Sequence, residues 1–280
     1  MDTAVHAQRR PVERLELDGR GVTIVDLSHR LGNATAAFEP NPHEIEYIDH
    51  RAGAAGSAAA GIDPDLWKGG MAWAVEIARL STHAGTHVDA PWHYGPTSGG
   101  APARTIDEVP LSWCMRPGVV LDMTDKSAGD GITDADCRAA LDRIGYELRP
   151  FDIVLVRTDA SLRFRERGYQ YRHPGLRRSA TAFLVERGVK VIGIDAWGLD
   201  RPFDVMADEA RRGDVDQLWE SHFYGQEREY LQLEKLEHLA YLPAPFGFTV
   251  VALPVLLERA SAAWSRVVAV FEEPAGSKEV

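Results

Sequence analysis

The segment from His83 to His93 reads HAGTHVDAPWH and holds three histidines and one aspartate within eleven residues. The whole chain of 280 residues has only ten histidines, so this local density is unusual. Neutral imidazole and carboxylate oxygen are the ligands that zinc, manganese and similar divalent ions take in proteins. We therefore interpret the segment as part of a metal site, in preference to histidines that cap turns and bond to backbone carbonyls.

The spacing of these side chains indicates separate roles. His83 and His87 are four residues apart, as one helical turn would align them, but the nearby glycine and proline favour a turn that folds back around an ion. Asp89 follows His87 by two residues, so an extended backbone places both side chains on one side. His93 could be a fourth ligand. We favour an acid/base role for it, because a catalytic site keeps a position open for water and needs a proton carrier beside it.

Outside this segment, strand patterns and helix patterns are mixed. The apolar and alternating runs predict strands at 22–28, 73–80, 118–123, 151–157, 189–194, 248–253 and 266–271. Helices are predicted from Thr133, with Asp136 at the capping-box position, and over residues 175–187 and 214–222. More strands occur than a simple alternation with helices needs, which indicates an α/β domain with a mixed sheet. Asp195 stands at the end of an apolar strand. It either supports a site or forms a structural turn.

Composition and net charge argue against several classes of function. The chain is 45 % hydrophobic and 26 % charged, as in globular proteins. Its formal net charge of −11 makes nucleic-acid binding an unlikely main activity, because acidic surfaces repel phosphate backbones. No apolar run approaches the length of a membrane span, about 18 residues. The N-terminus lacks a secretory pattern and the two cysteines lack a CxxC partner, so we expect a cytoplasmic protein.

The domain organisation is predicted to be simple. We expect a flexible N-terminal arm over residues 1–20, one domain over 21–272 and a C-terminal tail over 273–280. A small-residue segment at 51–61 is either a mobile lid over a site or a surface insertion without function.

The histidine segment and several later motifs resemble the cyclase family, whose best-known members are bacterial kynurenine formamidases and isatin hydrolases. The resemblance runs from about residue 22 to residue 271 and includes GIDAWGLD at 193–200 and the late glutamate segment at 229–239. It implies a single α/β domain of the swivelling β/β/α type. It also implies a homo-oligomer, a dimer or a tetramer.

The resemblance also assigns roles to individual residues. His83, His87 and Asp89 match the ligands of a first metal ion, and His93 matches the catalytic acid/base. In members with two ions, the aspartate bridges to a second ion that takes a histidine and, twelve residues later, a glutamate. Those residues here are His222 and Glu234. The cofactor is therefore zinc or manganese, with one or two ions per chain.

Two aromatic residues are predicted to contact substrate. By resemblance, the family's aromatic residue in the early loop falls near Phe38. Trp92 lies between motif residues of the histidine segment and could line the pocket, although aromatic residues in such places also pack in cores.

Three functions follow as hypotheses. The leading one is hydrolysis of an amide or lactam C–N bond in a small cyclic or aromatic substrate, through metal-activated water. The alternative is a polyketide-type cyclase or dehydratase that uses the same metal site. The third is a non-catalytic small-molecule-binding protein on a degenerate enzyme fold. The presence of every motif residue argues against this third hypothesis.

Overall fold

The computed structural model describes residues 11–272, with the side chains of residues 36–38 excepted. Its strands are β1 Val12–Leu17, β2 Arg20–Asp26, β3 Glu44–Ile48, β4 Val75–Arg79, β5 His87–Asp89, β6 Thr97–Ser98, β7 Ala101–Pro102, β8 Met115–Asp122, β9 Gly131–Ile132, β10 Ile153–Arg157, β11 Gly175–Leu176, β12 Val191–Ile194, β13 Leu231–Glu234, β14 Phe246–Val251, β15 Ala262–Trp264 and β16 Val268–Glu272. Its α-helices are α1 His50–Gly56, α2 Pro91–Tyr94, α3 Asp134–Ile144, α4 Arg178–Val185, α5 Phe203–Arg211 and α6 Glu220–Glu227.

Short 3-10 helices connect many of these elements. They span Asn33–Phe38, Ser57–Ala60, Pro64–Leu66, Lys68–Gly70, Ile106–Glu108, Leu111–Trp113, Ala160–Arg163, Tyr169–Tyr171, Val215–Gln217 and Leu239–Tyr241. No helix within residues 11–272 is both long enough and apolar enough to cross a membrane.

Ten of the strands form one mixed sheet, in the order β1-β2-β16-β14-β8-β10-β12-β13-β5-β15. The four central strands β8, β10, β12 and β13 run parallel, and the other neighbours in this sheet pair antiparallel. The prediction of a single α/β domain with a mixed sheet is confirmed. The swivelling β/β/α arrangement stays a prediction.

Both faces of the central strands are buried. In β10, Val154 and Val156 pack against the helices α3 and α4, while Ile153 and Leu155 join the core on the opposite face. Successive side chains of a strand point to opposite faces, so a continuous apolar run serves two cores at once. This explains the apolar run within 151–157, which predicts a strand.

Local signals in the sequence also set the ends of α3. Thr133 is its N-cap and the backbone N–H of Thr133 donates to Asp136 Oδ2 at 2.8 Å, which confirms the predicted capping box. Gly145 ends the helix in a left-handed conformation that favours glycine.

The helix predicted over 214–222 is wrong in its bounds. Residues Val215–Gln217 form a 3-10 turn, and α6 begins at Glu220 and continues past Gly225 to Glu227. Trp219 separates the two with a left-handed backbone (φ 55°), which a periodicity argument does not anticipate.

The N-terminal segment reaches into the sheet. β1 lies within the predicted arm of residues 1–20, yet it pairs with β2 along its whole length. Asp18 and Gly19 turn the chain with φ angles of 50° and 73°, as a two-residue type I′ hairpin requires. The Asp-Gly pair was the signal for this hairpin. Residues 1–10 and the predicted tail, 273–280, lie outside the described residues.

Residues 44–79 form an arm, called the β3–β4 arm below. Its two strands pair only with each other among the described strands, and every residue of β4 is exposed. The small-residue segment at 51–61 folds here as α1 and a 3-10 helix. None of its residues lines the cavity described below, which agrees with a surface insertion.

Candidate metal centre

The strand pairing of β5 brings the first ligand candidates together. β5 lies between β13 and β15, and His87 is the cross-strand partner of Glu234. His87 and Asp89 point to one face of the strand, while Val88 packs into the core on the other face. Ligand atoms of His87, Asp89 and Glu234 lie within 4.8 Å of one another, and all three residues are buried. The expectation that an extended backbone aligns the histidine and the aspartate holds here.

His83 and His93 complete a second group around the same carboxylate. Gly85 turns the chain with φ 66°, so His83 folds back toward Asp89 and its Nδ1 lies 2.8 Å from Asp89 Oδ1. Pro91 starts the single turn of α2, which carries His93. Ligand atoms of His83, Asp89 and His93 also lie within 4.8 Å of one another. The two groups share Asp89, as a bridging carboxylate would.

Asp89 is the buried residue with the clearest need for a cation. Among the described residues, neither of its carboxylate oxygens accepts a hydrogen bond of good geometry, and His87 Nε2 is also without a partner. Burial opposes its ionisation, but the imidazoles of His87 and His83 hold its pKa well below the usual range. Buried polar atoms without partners are rare in proteins. A divalent ion among these oxygens and nitrogens would satisfy them, so the donor set fits a metal.

His222 enters from α6 on the far side of Glu234. Its Nε2 lies 3.9 Å from Glu234 Oε1, and its Nδ1 lies 2.5 Å from Asp200 Oδ2. Burial lowers the pKa of His222, but the hydrogen bond and charge of Asp200 outweigh it and raise the pKa overall. Carboxylates that hold the second nitrogen of a histidine orient metal ligands in many proteins. Asp200 therefore supports His222.

His93 faces the same space with a neutral ring. Burial and the neighbouring His222 and His83 lower its pKa to about 3, although Asp89 acts in the opposite direction. Its ring centroid lies 4.1 Å from that of His83 and 5.4 Å from that of His222. A neutral imidazole offers a lone pair to a proton.

His83, His93, His222 and Glu234 line a cavity of about 220 Å³, whereas His87 and Asp89 are not among its lining residues. The apolar part of its lining consists of Trp197, Phe203, Met206 and Trp219. The polar part includes the four ligand candidates together with Glu39 and Lys235. The cavity thus combines aromatic side chains with polar groups that could bind an ion, as sites for small molecules do.

The two predicted substrate contacts differ in outcome. Trp92 is 45 % exposed and does not line the cavity, because α2 turns its side chain away from the side that presents His93. The geometry gives no support to substrate contact by Trp92. Phe38 ends the 3-10 helix Asn33–Phe38, but its side chain lies outside the described residues, so its contact with substrate stays a prediction.

Sequence reasoning missed several residues of the cavity. Trp219, Phe203 and Met206 come from the segment after Asp200, where no motif marks them. Lys235 follows directly on Glu234, and no sequence motif marks it as a cavity residue, although it is buried and lines the cavity.

Comparison with known proteins agrees with this picture. A family model described as "Putative cyclase" matches residues 25–201. Kynurenine formamidase from Bordetella petrii is 33 % identical over 196 residues, which cover 69 % of this chain and 79 % of that protein. Isatin hydrolase A from Ralstonia solanacearum has a similar fold, with a TM-score of 0.71 and 24 % identity over 89 % of this chain and 92 % of that one.

A second solved structure, isatin hydrolase A from Labrenzia aggregata bound to benzyl benzoate, gives a TM-score of 0.68 and 25 % identity, with 90 % of this chain and 94 % of that chain covered. The fold and the centre thus define a single-domain α/β enzyme with a histidine–carboxylate site suited to a divalent metal. The chain belongs to the cyclase family. It is a hydrolase of the class that acts on C–N bonds other than peptide bonds.

Proposed function

We propose that this protein is a metal-dependent hydrolase that cleaves the amide or lactam C–N bond of a small cyclic or aromatic substrate. The observation that carries the proposal is the state of Asp89. Among the described residues, its two buried oxygens accept no hydrogen bond of good geometry, and two groups of ligand atoms share it. The kynurenine formamidase and isatin hydrolase relatives carry names for hydrolysis of such bonds, which supports the choice of substrate class.

His83, His87 and Asp89 would hold a first ion, and His222 and Glu234 would hold a second ion that shares Asp89. Nitrogen and oxygen ligands suit zinc and manganese alike. The grouping of His93 with His83 and Asp89 favours a second assignment, in which His93 is a ligand. Metal content of the His93→Ala variant distinguishes the two, since a proton carrier can be removed without loss of the ion.

A divalent ion in this centre supplies Lewis acidity for the scissile carbonyl and lowers the pKa of a water molecule to about 7. His93 would accept a proton from the attacking water and deliver it to the leaving nitrogen, since its ring lies beside His83 and His222. Asp200 keeps His222 in one ring orientation through its 2.5 Å contact with Nδ1. Trp197 and Trp219 exclude bulk water and pack against the ring of the substrate.

The first experiment measures metal content and turnover together. Wild type, Asp89→Ala, Glu234→Ala and the surface variant Asp208→Asn are purified, their metal content is determined, and N-formyl aromatic amides and lactams are assayed in heavy-oxygen water. We expect one or two ions in wild type and in Asp208→Asn, loss in Asp89→Ala, and label in the product. Product without heavy oxygen would instead support a cyclase or dehydratase. Metal-free wild type would contradict the proposal.

We also propose that the protein forms a homo-oligomer through the β3–β4 arm. An isolated two-stranded sheet is marginally stable in water, and exposed apolar patches mark interaction sites. The arm exposes Tyr47, Leu66, Met71, Trp73 and Ile77. Tyr47→Glu with Ile77→Glu is expected to shift the sedimentation of the protein to that of a monomer. Unchanged sedimentation of a wild-type oligomer would rule out this surface.

A cytoplasmic location is part of the same proposal. Cys114 and Cys137 are free and buried among the described residues, and burial raises the pKa of their thiols to about 11 and about 12. Free thiols are typical of reducing compartments. Fractionation of the cells that produce the protein tests this location.

A further inference from the structure

A buried ion pair lies at the edge of the cavity, outside the predicted ligand set. Lys235 Nζ donates to Glu39 Oε1 at 2.7 Å and to Glu39 Oε2 at 2.8 Å. Only 2 % of the Lys235 side chain and 7 % of the Glu39 side chain are exposed. Both residues line the cavity. Charges this deeply buried are rare unless they are paired, so each of them depends on the other.

The same ammonium also contacts the main chain at a predicted metal ligand. Lys235 Nζ donates to the carbonyl oxygen of His83 at 2.8 Å. A lysine ammonium has three donors, and these contacts employ all of them. Lys235 therefore connects Glu39, which lies on the early loop, with the turn that presents His83 to Asp89.

The backbone of Lys235 is fixed in an uncommon conformation. Its φ angle is 57°, in the left-handed region that non-glycine residues seldom adopt. Its N–H donates to the carbonyl of Ala196 at 2.9 Å, and its own carbonyl accepts from Thr86 Oγ1 at 2.6 Å. The ring of Trp197 lies 5.2 Å from the ammonium. Strained conformations persist where surrounding contacts determine them, and they cluster at functional sites.

The loop with Glu39 also forms part of the cavity wall. Glu39, Pro40 and Asn41 line the cavity together with His83. Loss of one partner of a buried pair leaves an uncompensated charge, so the partner must move or draw in water. Movement of Lys235 would release the carbonyl of His83 as well. The position of this wall and the position of the ligand turn are thus linked through one side chain.

We propose that Lys235 is a positioning residue that couples the Glu39 loop to the metal ligand His83. It acts through the His83 carbonyl and sets how firmly the ion is held and how the cavity wall meets the substrate. The inference rests on the proposed metal site, but not on the identity of the substrate.

The test compares metal affinity in matched variants without any substrate present. Glu39→Gln keeps the shape and removes the charge, Glu39→Asp keeps the charge, and Glu44→Gln changes an exposed glutamate of β3 as the control. Competition with a chelator measures the affinity. We expect Glu39→Gln to weaken metal binding roughly 10-fold or more, as loss of residues that support ligands does. Glu39→Asp should recover most of it, and Glu44→Gln should match wild type.

The Lys235→Met variant provides an independent test of the same ion pair. We expect it to weaken metal binding at least as much as Glu39→Gln, and the double variant to be no weaker than Lys235→Met alone, because both substitutions break one pair. With an active substrate, Glu39→Gln should raise KM more than it lowers kcat. If Lys235→Met does not fold, the Glu39 variants decide alone.

Wild-type affinity in Glu39→Gln would overturn the coupling and leave the proposed hydrolase intact. Equal loss in Glu39→Asp and Glu39→Gln would also overturn it, because the charge would then be irrelevant. A wild-type protein that binds no metal would overturn the proposed function, and this inference with it. Failure of every substrate tested, with metal bound, bears only on the choice of substrate.

Discussion

Asp89 and Asp195 are both fully buried, yet their surroundings differ in one decisive respect. Asp195 accepts hydrogen bonds from the backbone N–H groups of Thr158 and Asp159, at 2.7 and 2.9 Å, and from the Thr158 hydroxyl at 2.6 Å. Asp89 accepts none of good geometry and faces imidazole nitrogens instead. Asp195 thus connects the ends of β12 and β10, while the surroundings of Asp89 fit a bound cation.

The difference separates a structural carboxylate from the proposed metal ligand at the same level of burial. Burial alone raises the pKa of both groups, and in Asp195 it prevails, so that the pKa rises to about 6. Around Asp89 the histidines prevail and its pKa falls. The hydrogen-bond partners of a buried acid, and not its exposed fraction, therefore indicate whether it is available to bind a ligand.

The largest effect is expected from Asp89→Asn, which tests the functional side of the comparison. The variant should lose its metal and its activity, because the carboxylate shared by both ligand groups is gone. Wild type should gain about 2.7 kcal/mol of unfolding free energy at a metal concentration of 100 Kd. Thermal unfolding with and without metal measures this gain. Asp195→Asn is the control and should retain the gain; a full gain in Asp89→Asn would break the comparison.

His93→Ala is expected to have the next largest effect. The variant should keep its metal while turnover falls about 10²- to 10⁴-fold, the usual contribution of a proton carrier. Steady-state kinetics and metal analysis on one preparation check both parts. His50→Ala, an exposed histidine on the β3–β4 arm, should behave as wild type. Loss of metal in His93→Ala would instead identify His93 as a metal ligand.

Asp195→Asn tests the structural side. Because the folded-state pKa of Asp195 is raised from 3.8 to about 6, its protonated form favours folding, and this stability is lost as pH rises through 6. The shift corresponds to about 3 kcal/mol between pH 4 and pH 7. Urea unfolding of the metal-free proteins should show this slope in wild type and not in Asp195→Asn. Equal slopes would mean that the carboxylate is ionised throughout.

Much of the fold could be predicted because local patterns determine it. The run at 151–157 and the capping residues Thr133 and Asp136 specify their elements without help from distant contacts. Trp219 could not be predicted, because its left-handed backbone depends on tertiary contacts such as that of its N–H with Met206 Sδ. Tertiary packing overrides local preference at such positions.

The residues of the candidate site also fall into two groups, those that local sequence patterns predict and those that depend on contacts across the fold. The alignment of His87 with Asp89 follows from strand periodicity, so the sequence sufficed to predict it. Pairing of His222 with Glu234 came from family resemblance, since the two lie on different elements. Asp200 and Lys235 were missed as site residues, because their roles depend on contacts across the fold, with His222 Nδ1 and with Glu39.

The smallest effect is expected at Trp219. It sharpens the comparison because Trp219 lines the cavity together with His83 and Glu234, which lie in the ligand groups around Asp89, whereas no contact of Asp195 within the described part of the chain reaches these residues. Trp219 stacks on His222 with ring centroids 4.2 Å apart. Trp219→Leu should raise KM for an aromatic substrate about fivefold, because aromatic contacts contribute about 1 kcal/mol beyond their buried area, and kcat should change little.

Trp219→Phe should recover most of the affinity for that substrate. Phe223→Leu is the matched control: its ring lies 5.6 Å from Trp219 but does not line the cavity, so KM should stay at the wild-type value. Steady-state kinetics with one aromatic and one aliphatic amide separate stacking from a general loss of fit. An equal rise in KM for both amides would show that Trp219 supports His222 and does not contact the substrate ring.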